Sequence, residues 1–367
     1  MPPRVTFIVP CYKLAHVLPD CVNSILAQTF TDFEILIMDD CSPDNTPDVA
    51  ASFQDSRVKH IRNEPNLGHL RNYNKGISLA KGEYVWLISA DDYLRRPYVL
   101  QRYVELLDDD PKVGYVFCPG VKVRGGAEVE TLGYSLQGAK DRVFDGREFL
   151  SKLIRENTIV AASGMVRKKL YDTVSVFPLD MPWGGDWYLW CVFALCSDVG
   201  YLAEPMVCYR EHELSMTTKL MNEDLDQCRT EDVNMPWIIK RKVEQAGYRK
   251  LIRPCLNAAA FEYARSIATK RYKSSKSSMS FDQFEHSLQR ASQNASQRRF
   301  VRSRVYANLA DIHYWNGENE LAYQYYSQAL HHDLWIPAVW VKRLLLTSGG
   351  VGDLLRKGRA RLHQRAG

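Results

Sequence analysis

Tyr84-Val85-Trp86-Leu87-Ile88-Ser89-Ala90-Asp91-Asp92 is the stretch on which the fold turns. Its apolar run, Tyr84 to Ile88, follows Gly82 and ends in two adjacent acids, the pattern of a buried strand. Asp91 and Asp92 then stand just past the strand's C-terminal end, where ligands bind in open α/β sheets. Neighbouring carboxylates repel each other, and a cation relieves them. Mg²⁺ and Mn²⁺ take oxygen ligands and usually share them with substrate phosphates. For an isolated acid pair, a solvated turn followed by a helix cap is the simpler reading. The surrounding sequence changes that preference.

Working outward, Val5 to Val9 is a continuous apolar run, expected as a strand buried on both faces and ended by Pro10. Asp20 to Gln28 carries Cys21, Val22, Ile25 and Leu26 at helical spacing. Glu34 to Met38 is a second buried strand, and it too ends in paired acids, Asp39-Asp40. A helix is expected from Thr46 as N-cap with Pro47 at its first position. Val58 to Ile61 reads as a third strand and Leu67 to Ala80 as a helix. Strands alternating with helices at this spacing predict a parallel, doubly wound α/β sheet. Two strands ending in paired acids on the same sheet edge are harder to dismiss than one.

Further on, Tyr98 to Leu107 is expected as a helix, Val113 to Cys118 as a strand, and Gly120 to Gly138 as a loop or hairpin. Phe149 to Arg155 reads as a helix and Asn157 to Val166 as a strand or buried loop. In residues 181 to 195, Gly184-Gly185 makes a turn, Asp186 opens a helix, and the remainder is almost wholly apolar. Val199 to Leu202 and Val207 to Tyr209 read as short strands, the second leading into Arg210-Glu211-His212. After about Asn234 strand signals vanish. The division expected is 1–234 for the α/β domain and 235–367 for an all-α region. Lys270 to Ser280 reads as a polar break, and residues 305–332 as one tetratricopeptide-like helix pair turning at Asn316-Gly317.

Bulk composition narrows the class. The chain has 367 residues, 46% hydrophobic and 25% charged, as soluble globular proteins do. A net charge of +5 is too small to argue for nucleic acid. Nine scattered cysteines without a CxxC pair read as reduced thiols of a cytoplasmic protein. Neither a signal peptide nor an apolar run of the ~18 residues a membrane helix needs is visible. The basic stretch Arg356 to Arg365 supports at most salt-sensitive peripheral association with the inner face of a membrane. The helical third offers a surface for a protein partner.

Several ordered segments resemble family 2 glycosyltransferases of the GT-A fold, of the bacterial polysaccharide type. These are VTFIVPCYK, FEILIMDDCSPDNT, NEPNLGHLRNYNKGISLAKGEY, LISADDYL, GGDWYLW and YREH followed by Ser215. The resemblance covers roughly the first 215 residues. It departs at Lys13, where the family usually has Asn, at Ala90 in place of a first acid, and at Gly185 in place of Glu.

The resemblance implies a nucleotide-sugar donor, UDP- or TDP-linked, a saccharide or lipid-linked saccharide acceptor, and Mn²⁺ or Mg²⁺ as cofactor. It implies Asp92 as metal ligand, with Asp91 at the ribose or a metal-bound water, and His212 as a metal or phosphate contact. Asp39 would accept from the base, with Pro10 and Tyr12 lining its pocket. Arg71 and Arg210 would meet the diphosphate, since the guanidinium fork suits phosphate. Asn72 and Asn74 are weaker candidates. Asp186 would be the general base of an inverting single displacement, with Asp180 as fallback, and Trp183 and Trp187 as sugar platforms. Each has a plainer alternative: Asp186 as an N-cap, Arg71 as a solvated helical arginine, Tyr12 as loop packing, His212 as structural. Two other functions compete. A nucleotidyltransferase would need a glycine-rich basic loop after the first strand, which Pro10 to Leu14 lacks. An interaction module with a degenerate enzyme domain would not be expected to keep every acid motif.

Overall fold

The computed structural model describes residues 2–133, 137–213, 215–268 and 279–347. Most of the polar break at 270–280 and the whole basic stretch 356–365 lie outside the described residues. The chain divides into two compact units, Met1–Glu231 and Asp232–Gly367.

Among its described residues the first unit has twelve strands: β1 (Val5–Cys11), β2 (Phe33–Asp39), β3 (Val58–Arg62), β4 (Tyr84–Leu87), β5 (Tyr93–Leu94), β6 (Val113–Phe117), β7 (Gly120–Arg124), β8 (Ala127–Leu132), β9 (Arg142–Phe144), β10 (Met165–Arg167), β11 (Asp198–Tyr201) and β12 (Val207–Arg210). Eight form the main sheet in the order β3-β2-β1-β4-β10-β6-β11-β9. β1 pairs in parallel with β2 on one side and β4 on the other, so the winding reverses between β1 and β4. That is the switch point at which such sheets open a crevice. The sheet is not the wholly parallel one that the sequence predicts. β10 runs antiparallel to both β4 and β6, and β9 runs antiparallel to β11. Both are three-residue strands, too short to carry a periodic signal.

Pro10 does not end β1. It lies in register with Met38, and its carbonyl accepts the Ala90 N–H at 3.1 Å. A proline forfeits only its own donor, so one ladder bond is lost and the strand continues to Cys11. β1 and β2 are buried along their full length. Phe7 stacks on Trp86 at 5.5 Å, and Trp86 on Tyr103 at 4.3 Å, with the Trp86 indole N–H given to the Ala162 carbonyl. Full burial of each such side chain stabilises the fold by roughly 3 kcal/mol.

The α-helices among the described residues of this unit are α1 (Leu18–Leu26), α2 (Thr46–Ser52), α3 (His69–Leu79), α4 (Val99–Asp109), α5 (Gly146–Leu153), α6 (Lys168–Thr173), α7 (Gly185–Cys196) and α8 (Met216–Glu223). The N-cap of α2 is Asn45, not Thr46. Asp44 does the capping, accepting the Thr46 N–H at 3.3 Å and its hydroxyl at 2.6 Å. α3 lies very close to the sheet: a Cβ on Gly76 would meet Ile8 at 2.6 Å, so glycine is required there. The glycine-rich stretch after β6 is a hairpin of β7 and β8, antiparallel, closed by Gly125-Gly126 at positive φ.

The smaller sheet, β5-β12-β7-β8, brings distant motifs together. β5 begins immediately after Asp91-Asp92, and β12 ends at Arg210. Their antiparallel register, Val207 to Leu94 and Cys208 to Tyr93, lays Arg210 and His212 over the two acids.

α9 (Leu225–Gln245) carries the chain into the second unit, which continues with α10 (Ile252–Ala268), α11 (Phe281–Ala291), α12 (Ala295–Trp315), α13 (Asn319–His332) and α14 (Pro337–Thr347). A core of Trp237, Tyr263, Phe284, Val301 and Leu309 joins α9 to α12. A second cluster, Tyr314, Ala322, Tyr326 and Leu330, joins α12 to α13. The turn between these two helices uses Gly317 at φ +84°. α11 starts with a capping box between Ser280 and Gln283.

Candidate active site

The tips of β1, β2 and β4 converge. Asp40 donates its N–H to Cys11 O at 3.0 Å, Asn63 its N–H to Asp39 O at 2.8 Å, and Ala90 its N–H to Pro10 O. Side chains from the following loops therefore meet over one edge of the sheet.

At the tip of β2, Asp39 is fully buried. Its Oδ1 accepts the Ser42 N–H at 2.8 Å, and its Oδ2 accepts from Arg62 Nη1 at 2.6 Å and faces His60 Nε2 at 3.2 Å. Burial alone would raise its pKa, but Ser42, Arg62 and His60 outweigh burial and the net direction is down. Asp40 accepts from Asn63 Nδ2 at 2.9 Å, from the Leu67 N–H at 2.8 Å and from the Gly68 N–H at 2.9 Å. Gly68 sits at φ +79°, a conformation that favours glycine. Asp40 thus fixes the loop that launches α3 rather than the turn after β2. On α3, Asn72 gives Nδ2 to Met38 O at 2.9 Å and accepts from Asn63 at 2.8 Å. Asn74 makes two bonds to the backbone of Phe177. Both asparagines hold the fold together. Arg71 is exposed on the same helix.

At the tip of β4 the carboxylates have fewer partners. Asp92 is 5% exposed, and its Oδ1 accepts the Arg210 N–H at 2.9 Å. Burial and then the charge of Asp91 push its pKa well up. Asp91 Oδ2 lies 2.9 Å from His212 Nε2, while its Oδ1 is buried with no hydrogen-bond partner. His212, expected as a metal or phosphate contact, sits on Asp91, the acid next to Asp92. The Arg210 guanidinium is held by Asp20 at 2.9 Å and lies over the Tyr93 ring. Tyr12, 42% exposed, stands beyond β1, with Lys13 over its ring, whereas Pro10 is buried within the strand.

The third carboxylate comes from α7. Asp186 lies in its first turn, accepting the Trp187 N–H at 2.7 Å and Asn157 Nδ2 at 3.0 Å. Burial raises its pKa to about 6 against the pull of those donors. Tyr73 on α3 marks its proximity to the other two: burial raises the Tyr73 pKa most, and Asp91, Asp186 and Asp92 raise it further. Asp180, by contrast, is exposed. Trp187 does not offer a sugar platform. It is buried, with its indole N–H on Leu153 O at 2.8 Å, because its position one residue past Asp186 turns it into the core. Trp183 is half-buried. Sequence reasoning missed Asn157, which orients Asp186 from 29 residues away with no local signal.

Asp91 Oδ1, left without a partner, and Asp92, with one, are hard oxygen donors suited to Mg²⁺ or Mn²⁺. Among the described residues, no group of three His, Cys, Asp or Glu side chains could hold a metal ion. The acids fit a cation that takes its remaining ligands from phosphate and water.

A doubly wound sheet with acids at its switch point and a second small sheet folded over them is the GT-A fold, here followed in the chain by a helical region. Residues 6–174, just under half of the chain, match the family model described as Glycosyl transferase family 2. Glycosyltransferase GlyG of Streptococcus pneumoniae is 34% identical over 111 residues, 30% of this chain and 37% of that protein. Succinoglycan biosynthesis protein ExoO of Rhizobium meliloti is 37% identical over 106 residues, 29% of this chain and 30% of ExoO. These matches thus span about a third of each relative's length. The structure of S. aureus TarS residues 1–349 in complex with UDP-GlcNAc is similar in fold, with a TM-score of 0.60 and 16% identity over 97% of this chain and 92% of that one. No helix among the described residues is long and apolar enough to cross a membrane.

Proposed function

We propose that this protein transfers a sugar from a UDP- or TDP-linked donor to a hydroxyl of a saccharide or lipid-linked saccharide acceptor, with inversion, in the synthesis of a cell-surface polysaccharide or glycoconjugate. The observation that carries the reading is the pairing of two unlike acid sites. Asp91 and Asp92 are short of partners, while Asp186 is poised near neutrality on a separate element.

In this reading Asp186 Oδ takes the proton of the acceptor hydroxyl as that oxygen forms its bond to the anomeric carbon. The bond from that carbon to the diphosphate oxygen breaks, and its electron pair leaves with the nucleoside diphosphate. One base and no nucleophile give a single displacement. Asp92 and Asp91 would hold Mn²⁺ or Mg²⁺, which when bound would supply Lewis-acid neutralisation of the diphosphate. In this reading Arg210 and His212, brought near the acids by β12, would meet the phosphates; the bonds of Arg210 N–H to Asp92 and of His212 to Asp91 support it. Tyr12 offers an exposed ring for a flat base, and Asp39 lies at the same sheet edge. The relation to GlyG and ExoO supports the surface-polysaccharide setting, and the likeness to the UDP-GlcNAc complex of TarS supports the donor class. The division into an α/β domain over 1–234 and a helical region over 235–367, with a tetratricopeptide-like pair at 305–332, belongs to the same proposal. So does the helical region as a surface for a protein partner or for peripheral membrane association.

The test is Asp186→Asn. Transfer is expected to fall by about 10³-fold with UDP binding intact. Retained transfer would move the base elsewhere, and release of pyrophosphate from a nucleoside triphosphate would point to nucleotidyl transfer instead.

A further inference from the structure

The segment that delivers Asp186 is pinned from outside the family-matched region. Trp183 and Gly184, immediately before α7, both donate their backbone N–H to a single oxygen of Glu231, Oε2, at 3.1 and 2.7 Å. The other oxygen, Oε1, accepts from Gln227 Nε2 at 2.9 Å, and the same Gln227 amide reaches Asp180 O at 3.5 Å. From the opposite side, the His69 ring on α3 lies 3.2 Å from Pro182 O. Glu231 is 4% exposed. A carboxylate that buried, accepting two consecutive backbone N–H groups, is a strong charge-assisted contact and fixes a turn rather than a single atom.

Gly184 is the N-cap of α7, and no side chain of its own caps that end. The direction in which α7 sets out, and hence the position of Asp186 two residues later, depends on that turn. Gly185 cannot supply the missing carboxylate, and any side chain there would crowd Phe177, 3.3 Å from an added Cβ. The clamp comes instead from the first third of α9, the helix that leads into the second unit.

We propose that Glu231, braced by Gln227, is a positioning residue for the general base: it sets the Trp183-Gly184 turn so that Asp186 meets the acceptor hydroxyl. The inference rests on the reading of Asp186 as that base. It also assigns α9, which lies beyond residues 6–174, a part in catalysis rather than mere connection. Glu231 touches no substrate, so its loss acts on turnover and not on donor binding.

The experiment compares Glu231→Ala, Glu231→Gln and Asp186→Asn in the full chain. Hydrogen exchange at the amides of Trp183 and Gly184 reads the clamp directly, independently of what Asp186 does. Transfer kinetics and calorimetric UDP binding read its consequence. Glu231→Ala is expected to speed exchange at those two amides and to lower kcat about 10- to 100-fold, because small misplacements of a reacting group are that costly. UDP affinity and donor KM should stay within about twofold. Glu231→Gln keeps an acceptor oxygen for the turn and should recover kcat to within about threefold of wild type. Wild-type kcat in Glu231→Ala, or equal losses of kcat and UDP affinity, or no rescue by Gln, would each overturn the proposal. If Asp186→Asn keeps transfer, the base assignment has failed, and the exchange data still judge the clamp on its own.

Discussion

The dipeptide Asp-Asp closes β2 and recurs in the loop that follows β4, at the same edge of the sheet, and the two pairs have opposite surroundings. At β2 every carboxylate is answered: Asp39 by Ser42, Arg62 and His60, and Asp40 by Asn63, Leu67 and Gly68. At β4 the acids face each other with one backbone N–H and one histidine between them, and Asp91 Oδ1 has no partner. The net effect lowers the pKa of Asp39 and raises that of Asp92. An answered carboxylate stabilises the fold. An unanswered one costs stability and persists where a cation or substrate completes it.

The comparison is broken most severely at Asp92. Asp92→Asn should reduce transfer by about 10³-fold, as loss of a metal or oxyanion contact does, and yet raise the melting temperature of the ligand-free protein. The sign follows from linkage. A carboxyl whose folded pKa is raised gives its full stability below its unfolded value, near 4, and loses it as pH rises through the folded value. Above the unfolded value the wild-type carboxyl is therefore a burden that the neutral amide removes, while the amide oxygen still accepts the Arg210 N–H. The gain should shrink at pH 5. A lower melting temperature at pH 8 would mean that the β4 pair is structural after all.

Asp39→Asn should do the reverse. Its folded pKa is lowered, so its stability is present above the unfolded value and is lost as pH falls through the folded one. At pH 7 the substitution should cost about 2–3 kcal/mol in chemical denaturation, the worth of hydrogen bonds to a buried charged group. An unchanged midpoint would dissolve the contrast between the two tips.

Asp186 sharpens the account on the pH axis. The base works only when ionised, so the acid limb of kcat/KM should bend at about pH 6, not near 4. Asn157→Ala removes one of the donors that hold its pKa down and should move that limb upward.

Arg71 gives the smallest effect. It is exposed, so Arg71→Ala should leave stability within about 0.5 kcal/mol. If it meets the diphosphate, donor KM rises about tenfold. An unchanged KM returns it to an ordinary solvated helix residue.

The strands were legible because burial on both faces writes a local apolar run, as in Val5 to Val9 and Tyr84 to Ile88. The acids stood out because they end such runs, and Asp186 because glycines precede it. What stayed hidden is long-range. Nothing in the dipeptide Asp39-Asp40 tells it from Asp91-Asp92, since the difference lies in Arg62, Asn63 and the Asn66-Leu67-Gly68 turn, 20 or more residues on. The reversal of β10 and the burial of Trp187 depend on partners brought in by the tertiary fold. The Glu231 clamp bridges 47 residues to reach Gly184 and leaves no periodic trace. Thr46 misled for a local reason: Asp44, two residues earlier, accepts both the Thr46 N–H and its hydroxyl, so the threonine is capped rather than capping.

The most direct test is calorimetric titration of UDP into wild-type protein and into Asp92→Asn, each with and without Mn²⁺. A nucleotide-binding β4 tip predicts that Mn²⁺ tightens UDP binding to the wild type at least tenfold and does nothing for the variant. UDP bound equally by both proteins, with or without Mn²⁺, would contradict the claim that Asp91 and Asp92 are left open for a cation and its diphosphate.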